Sequence, residues 1–179
     1  MSIEEVYNIN LFIEGDNEAF TWIYYKHIHE IIAYGIGLGY MKNEIEDAIQ
    51  DVCYNILKNR NSLIGVKNVK FFLLRSLKNR LINIKRDEKK TLSSDGFENI
   101  FFEKANIIEN IIKRESKLKI EKRVNTLFKL LTPRQKEAIY LKYIQGLDYK
   151  EIAIILNMTI PSVRNLVSRG ISKMRNELN

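Results

Sequence analysis

The pattern of apolar and polar residues predicts a chain built from helices. Apolar residues recur three and four positions apart, the spacing of one helix face, in stretches at about 17–38, 43–59, 68–86 and 107–130. Three shorter helices follow within residues 131–178. The pattern therefore predicts an all-α protein with two small helical domains joined by a linker.

The last three helices carry the start and stop signals of a helix-turn-helix. Thr132, Asp148 and Thr159 each stand where a side chain can cap the first turn of a helix. Asn157 can adopt the left-handed conformation that ends the second of these helices. The spacing E-I-A-x-x-L-N-M-T-x-x-x-V is typical of two helices that cross at a small alanine. We therefore expect the last helix to read DNA.

One face of this last helix carries side chains that suit DNA. Val163, Leu166 and Val167 are expected to face the core. The opposite face then presents Ser162, Arg164, Asn165, Ser168, Arg169 and Lys173. Arginine can bind two acceptors of guanine, asparagine can pair with adenine, and serine and lysine can hold phosphates. The alternative interpretation is an ordinary solvated face on a helical hairpin.

Composition restricts the classes of protein that the chain can belong to. The 179 residues are 45% hydrophobic, which is enough for one large or two small cores. The single cysteine, Cys53, excludes an internal disulfide, and no group of Cys and His residues has metal-ligand spacing, so neither a metal nor another cofactor is expected. The acidic N-terminus is unlike a signal peptide and no segment has transmembrane length, which predicts a cytoplasmic protein without membrane insertion.

The net charge of +7 is unevenly distributed along the chain. Residues 1–66 contain 4 Lys and Arg against 10 Asp and Glu, whereas 67–90 contain 9 against 2. The C-terminal residues 130–179 are basic again, with 8 against 4. Two separate basic segments behind an acidic one suggest two nucleic-acid contacts and a distinct surface for another partner.

The helix predicted at 43–59 has a polar face next to its buried stripe, which includes Ile45, Ile56 and Leu57. This polar face carries Asp47, Gln50, Asp51 and Tyr54. Three interpretations are open: a solvated face, metal or general acid chemistry, and docking onto a basic partner. The second lacks companion ligands at metal-site spacing. His27 and His29 diverge on a helix and are expected to be surface or partly buried side chains without a chemical role.

The helix predicted at 68–86 combines cations with aromatic residues. Its inward face is expected to include Leu74, Leu77 and Leu81. The residues expected to contact single-stranded DNA are Phe72, Arg75, Lys78, Asn79, Asn83 and Arg86. Cations neutralise phosphates, and an unstacked base finds a flat apolar or amide surface. The alternative is an amphipathic core helix whose exposed face happens to be basic.

The order of these features resembles the sigma factors of bacterial RNA polymerase, in the sigma-seventy family and its small extracytoplasmic-function type. Three motifs carry the resemblance: IEDAIQDVCYNILKN, FFLLRSLKNRLINIKR and LTPRQKEAIYLKYIQGLDYKEIAIILNMTIPSVRNLVSRGISKMR. It implies a region 2-like domain at 1–88, a linker at 89–116 and a region 4-like helix-turn-helix domain at 117–179. Gly170 stands where the family usually has alanine. Glycine lowers helix stability by roughly 1 kcal/mol relative to alanine, so we expect the last turns to be less rigid.

The resemblance also implies roles and partners. Asp47, Gln50 and Asp51 would meet the clamp of core RNA polymerase, with Tyr54 on the same face. The basic helix would capture unpaired bases of the downstream promoter element near Asn79. The C-terminal domain would dock on the polymerase flap and read the upstream element. An anti-sigma factor is a further partner that the family allows.

Two other classes of function compete with the sigma-factor interpretation. The first is a stand-alone helix-turn-helix transcription regulator that binds duplex DNA as a dimer, with an N-terminal dimerisation or sensor domain. Such a regulator does not need the basic aromatic helix and its acidic neighbour. The second is an enzyme, but the sequence contains no nucleophile and base pair, phosphate loop or metal set, so no catalytic activity is expected.

Overall fold

A computed structural model of the protein describes residues 1–90 and 126–177. All regular secondary structure of these residues is helical, which confirms the predicted all-α class. Within them, 1–35 with 40–90 form one compact unit, and 36–39 with 126–177 form a second. No helix in the described ranges is long and apolar enough to cross a membrane. Residues 91–116 of the predicted linker and 117–125 of the predicted C-terminal domain lie outside the described ranges.

Four α-helices and a 3-10 turn make up the first part of the chain. The bounds of the helices are α1 Ile3–Glu14, α2 Asn17–Gly37, α3 Lys42–Lys58 and α4 Val69–Lys90, and the 3-10 turn is Arg60–Leu63. The side chain of Asp16 accepts hydrogen bonds from the first turn of α2. Helices α3 and α4 pack against each other, and Ile45, Leu74 and Leu81 are fully buried.

Helix α1 was not predicted, although the sequence contains its start signal. The Ser2 hydroxyl accepts a hydrogen bond from the backbone N–H of Glu5 at 3.2 Å. The Glu5 carboxylate accepts one from the backbone N–H of Ser2 at 2.7 Å. This is a capping box, which S-x-x-E at residues 2–5 encodes. Phe12 lies on the inner side of α1 and is completely buried.

The prediction that His27 is a surface or partly buried side chain is wrong. His27 is 3% exposed, because α1 covers this part of α2. Its Nε2 lies 2.9 Å from a Glu5 oxygen and its Nδ1 lies 3.3 Å from Glu30. Glu30 in turn accepts a hydrogen bond from Lys70 of α4 at 3.0 Å. The cluster of Glu5, His27, Glu30 and Lys70, called the His27 cluster below, thus joins α1, α2 and α4.

Both carboxylates of the His27 cluster favour their charged form. Burial raises the pKa of Glu5, but the hydrogen bond from Ser2, the charge of Lys26 and the bond to His27 together hold the pKa below its ordinary value. Burial likewise raises the pKa of Glu30, and its bonds to His27 and Lys70 outweigh this and lower the pKa. The cluster therefore stabilises the fold through ionised carboxylates.

One further expectation for the first unit is wrong. Leu57, expected in the buried stripe of α3, is 40% exposed near the C-terminal end of the helix. Gly35 is buried where α2 meets α3. A Cβ added at Gly35 would lie 2.8 Å from the side chain of Ile45, so this glycine allows the two helices to approach closely.

The described residues of the C-terminal unit from 126 onward begin with a helical turn at 126–129, and three helices follow in the predicted order. They are α5 Pro133–Ile139, which continues as a π-helical turn Tyr140–Ile144, then α6 Tyr149–Leu156 and α7 Ile160–Asn176. Thr132, Asp148 and Thr159 cap the three α-helices as predicted, each accepting a hydrogen bond from a backbone N–H of the first turn. The π-helical turn was not predicted.

Gly170 is a packing position rather than a source of looseness. It is buried on the side of α7 that faces α5. A Cβ added there would lie 2.7 Å from Cδ1 of Ile139, a distance that real Cβ atoms essentially never show. The absence of a side chain therefore lets α7 lie close against α5.

Candidate nucleic-acid interfaces

The helix-turn-helix is built from α6, a tight turn and α7. Asn157 ends α6 in the left-handed conformation, with φ 52° and ψ 51°, as its side chain type predicted. Val163 and Val167 of α7 are buried, and Ala153 of α6 is 6% exposed where the two helices meet. This arrangement fixes which side of α7 faces outward.

The outward side of α7 has the predicted composition. All six residues expected to contact DNA are exposed: Ser162, Arg164, Asn165, Ser168, Arg169 and Lys173. The helix presents them as one convex polar surface, because they occupy successive turns on the side opposite Val163 and Val167. A helix of this width fits the major groove of B-DNA, where arginine and asparagine side chains can reach base edges.

The first turn of α7 is held by local contacts. The Thr159 hydroxyl lies 2.8 Å from the Ser162 hydroxyl and accepts a hydrogen bond from the Ser162 backbone N–H. The guanidinium of Arg164 lies over the ring of Tyr149 at 5.6 Å, and the Lys142 ammonium lies over the same ring at 4.7 Å. Such cation–π contacts restrain an arginine without removing its hydrogen-bond donors.

A second candidate surface is an open groove between α3, α4 and the 3-10 turn, with a volume of about 370 Å³. Its lining, called the amide groove below, consists of Val52, Asn55, Ile56, Asn59, Ser62, Phe72, Ser76, Asn79, Arg80 and Asn83. Four of these side chains are amides, which can donate to and accept from the edge of a nucleobase. The Phe72 ring supplies an aromatic surface on which a base can stack.

The structure brings together half of the residues predicted to contact single-stranded DNA. Phe72, Asn79 and Asn83 line the amide groove. Arg75 and Arg86 are exposed on α4 but are not part of its lining. Lys78 was expected to face phosphates and is instead 5% exposed. The reason is its position on α4, since it shares the buried face of Leu74 and Leu81.

Sequence reasoning missed the wall of the amide groove that α3 and the 3-10 turn provide. Asn55 and Asn59 follow Asp51 at intervals of four residues, so the three form one polar row along α3 and its C-cap. This polar row was a usable signal, but its pairing with Asn79 and Asn83 of α4 depends on how the two helices pack. The Ser62 hydroxyl, from the 3-10 turn, is buried without a hydrogen-bond partner in the described part of the chain.

The four residues of the predicted partner face of α3 have different surroundings. Asp47, Gln50 and Tyr54 are exposed, and Tyr54 is 63% exposed although it is a large aromatic residue. Asp51 is different, because its Oδ2 accepts a hydrogen bond from Nε of Arg80 at 2.6 Å and lies 2.5 Å from Nη2. Asp51 thus connects α3 to α4 at the edge of the amide groove.

No group of three or more His, Cys, Asp or Glu side chains within 1–90 and 126–177 is arranged to hold a metal ion. Cys53 is half-buried beside a small apolar cavity, and burial raises the pKa of its thiol. A thiol with a raised pKa is a poor nucleophile at neutral pH.

One family model matches the C-terminal part of the chain. The model of sigma-70 region 4 matches residues 122–174, which include α6, the turn and α7 as far as Met174. No curated protein sequence matches the chain.

Solved structures extend the likeness to the whole fold. The structure of CnrH in complex with the cytosolic domain of CnrY is 16% identical and has a TM-score of 0.61, covering 98% of this chain and 97% of that chain. The sigma factor RpoE, solved in complex with the anti-sigma factor NepR from Bartonella quintana, is 20% identical and has a TM-score of 0.59. It covers 89% of this chain and 96% of its own. The family match confirms the predicted resemblance for residues 122–174, and the two solved structures confirm the predicted fold.

Proposed function

We propose that this protein, whose residues 122–174 belong to the sigma-70 region 4 family, is a sigma factor of the extracytoplasmic-function type. It binds core RNA polymerase and directs promoter recognition, DNA melting and the initiation of transcription. The observation that carries this proposal is the presence in one chain of two polar surfaces of different shape, the convex face of α7 and the concave amide groove. A regulator that binds only duplex DNA needs the convex face of α7 and has no use for a concave groove lined with amides.

Recognition of duplex promoter DNA is assigned to α7. Its exposed arginines and Asn165 can read base edges in the major groove, while Ser162, Ser168 and Lys173 hold the phosphate backbone. Phosphate contacts of this kind make binding strongly dependent on salt.

Capture of unpaired bases is assigned to the amide groove. A base that has left the duplex loses stacking and pairing worth a few kcal/mol, so melting requires a site that binds the extruded base. Phe72 can stack on it, and the amides of Asn79 and Asn83 can bond its edge. Melting is thus driven by binding, without a covalent step.

Binding of core polymerase is assigned to the exposed part of α3. An exposed tyrosine flanked by carboxylate and amide groups combines apolar area with polar specificity, which is typical of protein interfaces. Tyr54 supplies the apolar area, and Asp47 and Gln50 supply the polar groups.

An anti-sigma factor is proposed as a further partner. RpoE was solved with such a protein, the anti-sigma factor NepR. Large exposed apolar side chains on α1 and α2, including Ile3 at 90% and Tyr25 at 69% exposure, offer this chain contact area beyond the α3 face.

Purified core RNA polymerase from the source cell tests the proposal. The chain should co-purify with the core enzyme and should allow run-off transcription from promoters on which the core enzyme alone is silent. Tyr54→Ala should reduce co-purification at least tenfold, because hot-spot aromatic residues contribute about 2 kcal/mol or more. Lys58→Ala is the matched control on the same helix and should bind normally. Failure to bind the core enzyme, together with a dimer that binds duplex DNA, would favour the stand-alone regulator.

A further inference from the structure

We infer that Arg80 contacts the phosphate backbone of unpaired DNA in the amide groove and that Asp51 positions its guanidinium for this contact. The inference rests on the proposed function of the groove and adds a residue that the sequence did not suggest. It also gives Asp51 a role different from the polymerase contact that the family resemblance implies.

The first argument is the composition of the lining. Arg80 is the charged member of the amide groove, while its other polar members are amides and hydroxyls. Amides and an aromatic ring can hold a base, but the nucleotide that carries the base also brings a phosphate. A guanidinium is the side chain best suited to a phosphate, because its planar fork can make two parallel hydrogen bonds. Arg80 is therefore the residue of this surface that can bind the charged part of a nucleotide.

The second argument is the geometry of the ion pair. Nε and Nη2 of Arg80 both contact the same oxygen of Asp51, at 2.6 and 2.5 Å. Nη1 makes no hydrogen bond within the described part of the chain, so its two N–H groups and the second N–H of Nη2 remain for another acceptor. The Arg80 side chain is 38% exposed and that of Asp51 is 43% exposed. The pair is thus accessible to a ligand and is not a sealed structural contact.

The third argument is the conformational freedom of a long side chain. A free arginine on a helix surface samples many rotamers and loses this freedom when it binds. Asp51 removes part of that loss before the ligand arrives, because it fixes the guanidinium at the edge of the amide groove. A positioning role and a merely neutralising role predict opposite outcomes when the charge of Asp51 is removed.

The test measures binding of a short fluorescent single-stranded DNA of mixed sequence to the purified complex of the full chain with core polymerase. Arg80→Ala should weaken binding about three- to tenfold and lower the salt dependence of the logarithm of affinity by about 0.7. Arg80→Lys should restore the salt dependence but only part of the affinity, because lysine lacks the fork. Lys58→Ala, which removes a cation next to the groove wall, is the control and should change neither value.

Asp51→Asn decides between positioning and neutralisation. A positioning role predicts weaker binding by about threefold even though a negative charge is lost, and no further loss when Asp51→Asn is added to Arg80→Ala. Stronger binding by Asp51→Asn, or losses that add in the double variant, would overturn the positioning role. Duplex binding through α7 and the fluorescence of Trp22, the single tryptophan, should stay unchanged and so exclude misfolding.

The outcomes also separate this inference from the proposed function. Unchanged single-strand binding by Arg80→Ala, with the unsubstituted complex still binding, would overturn the role of Arg80 and leave the sigma-factor proposal standing. Loss of polymerase loading by Asp51→Asn, with normal loading by Arg80→Ala, would assign Asp51 to the polymerase and overturn its role toward Arg80. A complex that binds no single-stranded DNA at all would overturn both proposals.

Discussion

The two proposed nucleic-acid surfaces are built in different ways. The α7 face belongs to one helix, is convex and consists of six exposed side chains that point away from the core. The amide groove is concave and is lined from α3, α4 and the 3-10 turn. A convex helix can enter the major groove of a duplex, whereas a concave site can surround a base that has left one. Shape therefore separates the double-stranded from the single-stranded substrate before any base is read.

The difference has a consequence for how each surface responds to mutation. Side chains of the α7 face are held mainly by their own helix, so their contributions should be nearly independent. Residues of the amide groove share neighbours across two helices, as the Asp51–Arg80 pair illustrates, and should show coupled effects. The following experiments test this contrast, from the largest expected effect to the smallest.

Gly170→Val should have the largest effect. The added side chain meets Ile139 at the contact of α5 with α7, and overpacking of this kind costs about 1–3 kcal/mol. We expect the helical signal of the C-terminal unit to melt earlier while the Trp22 fluorescence transition, which reports the N-terminal unit, stays in place. Ser172→Val puts the same residue on an exposed position of α7 and should unfold like the original chain. Equal destabilisation by both variants would contradict the close approach at Gly170.

Arg169→Ala should weaken binding to upstream duplex DNA by about 1–3 kcal/mol, the range expected for the loss of a bidentate contact to guanine. Gel-shift titrations with promoter fragments measure this effect, and co-purification with core polymerase should be unaffected. Arg175→Ala removes an exposed arginine from the last turn of the same helix and serves as the control. If Arg169→Ala reduced duplex binding and core binding equally, the assignment of Arg169 to base reading would be refuted.

Asn79→Ala should weaken binding of single-stranded DNA and leave duplex binding unchanged, with a smaller effect than that of Arg169→Ala on duplex DNA. Loss of a hydrogen bond between an amide and a base is expected to cost about 1 kcal/mol in binding of single-stranded DNA. Fluorescence anisotropy with single-stranded and duplex probes should reveal a loss for the former alone. Asn10→Ala, an exposed amide on α1, is the corresponding control. An equal loss for the duplex probe would contradict the division of labour between the two surfaces.

Low pH should destabilise the N-terminal unit through the His27 cluster. Because the pKa values of Glu5 and Glu30 are depressed by folding, the stability that they contribute is present above the ordinary pKa of 4.5 and is lost as pH falls through their lower folded values. We expect Glu5→Gln to destabilise the N-terminal unit by about 1 kcal/mol at neutral pH and to flatten its acid dependence. Urea titrations followed by Trp22 fluorescence measure both effects.

Glu4→Gln removes a neighbouring carboxylate on the exposed side of α1 and is the control for this measurement. It should preserve both the neutral stability and the acid dependence. An acid dependence that persisted unchanged in Glu5→Gln would show that the His27 cluster does not control the response.

The success of sequence reasoning differed between the two surfaces for a physical reason. All six residues of the α7 face were correctly expected to be exposed, because the periodicity of a single helix determines which side is buried. The capping residues Thr132, Asp148 and Thr159 were likewise local features. The amide groove was half visible, since Phe72, Asn79 and Asn83 lie on α4, whereas Asn55 and Asn59 contribute only after α3 has packed against it.

The errors share one cause, which is that burial depends on distant elements. His27 is buried because α1 covers it, and α1 was overlooked in the sequence. Lys78 looked like one more member of a basic helix face, but its place between Leu74 and Leu81 puts it on the inner side. Gly170 looked like a local weakening of α7 because its neighbour Ile139 is far away in the sequence. A glycine required by packing cannot be told from a flexible one without its contact.

The π-helical turn Tyr140–Ile144 determines how the chain would respond to the loss of one residue. The backbone N–H of Gln145 donates to the carbonyl of Tyr140, five positions earlier. The turn therefore contains one residue more than an α-helical turn would. Deletion of one residue there would restore α-helical pairing and leave the flanking segments close to their present directions, because the π-helical turn already absorbs the extra residue. In evolutionary terms, a single-codon deletion at this turn would keep the helix and the directions of its flanking segments, while the same deletion in α7 would misplace every DNA-facing side chain beyond it.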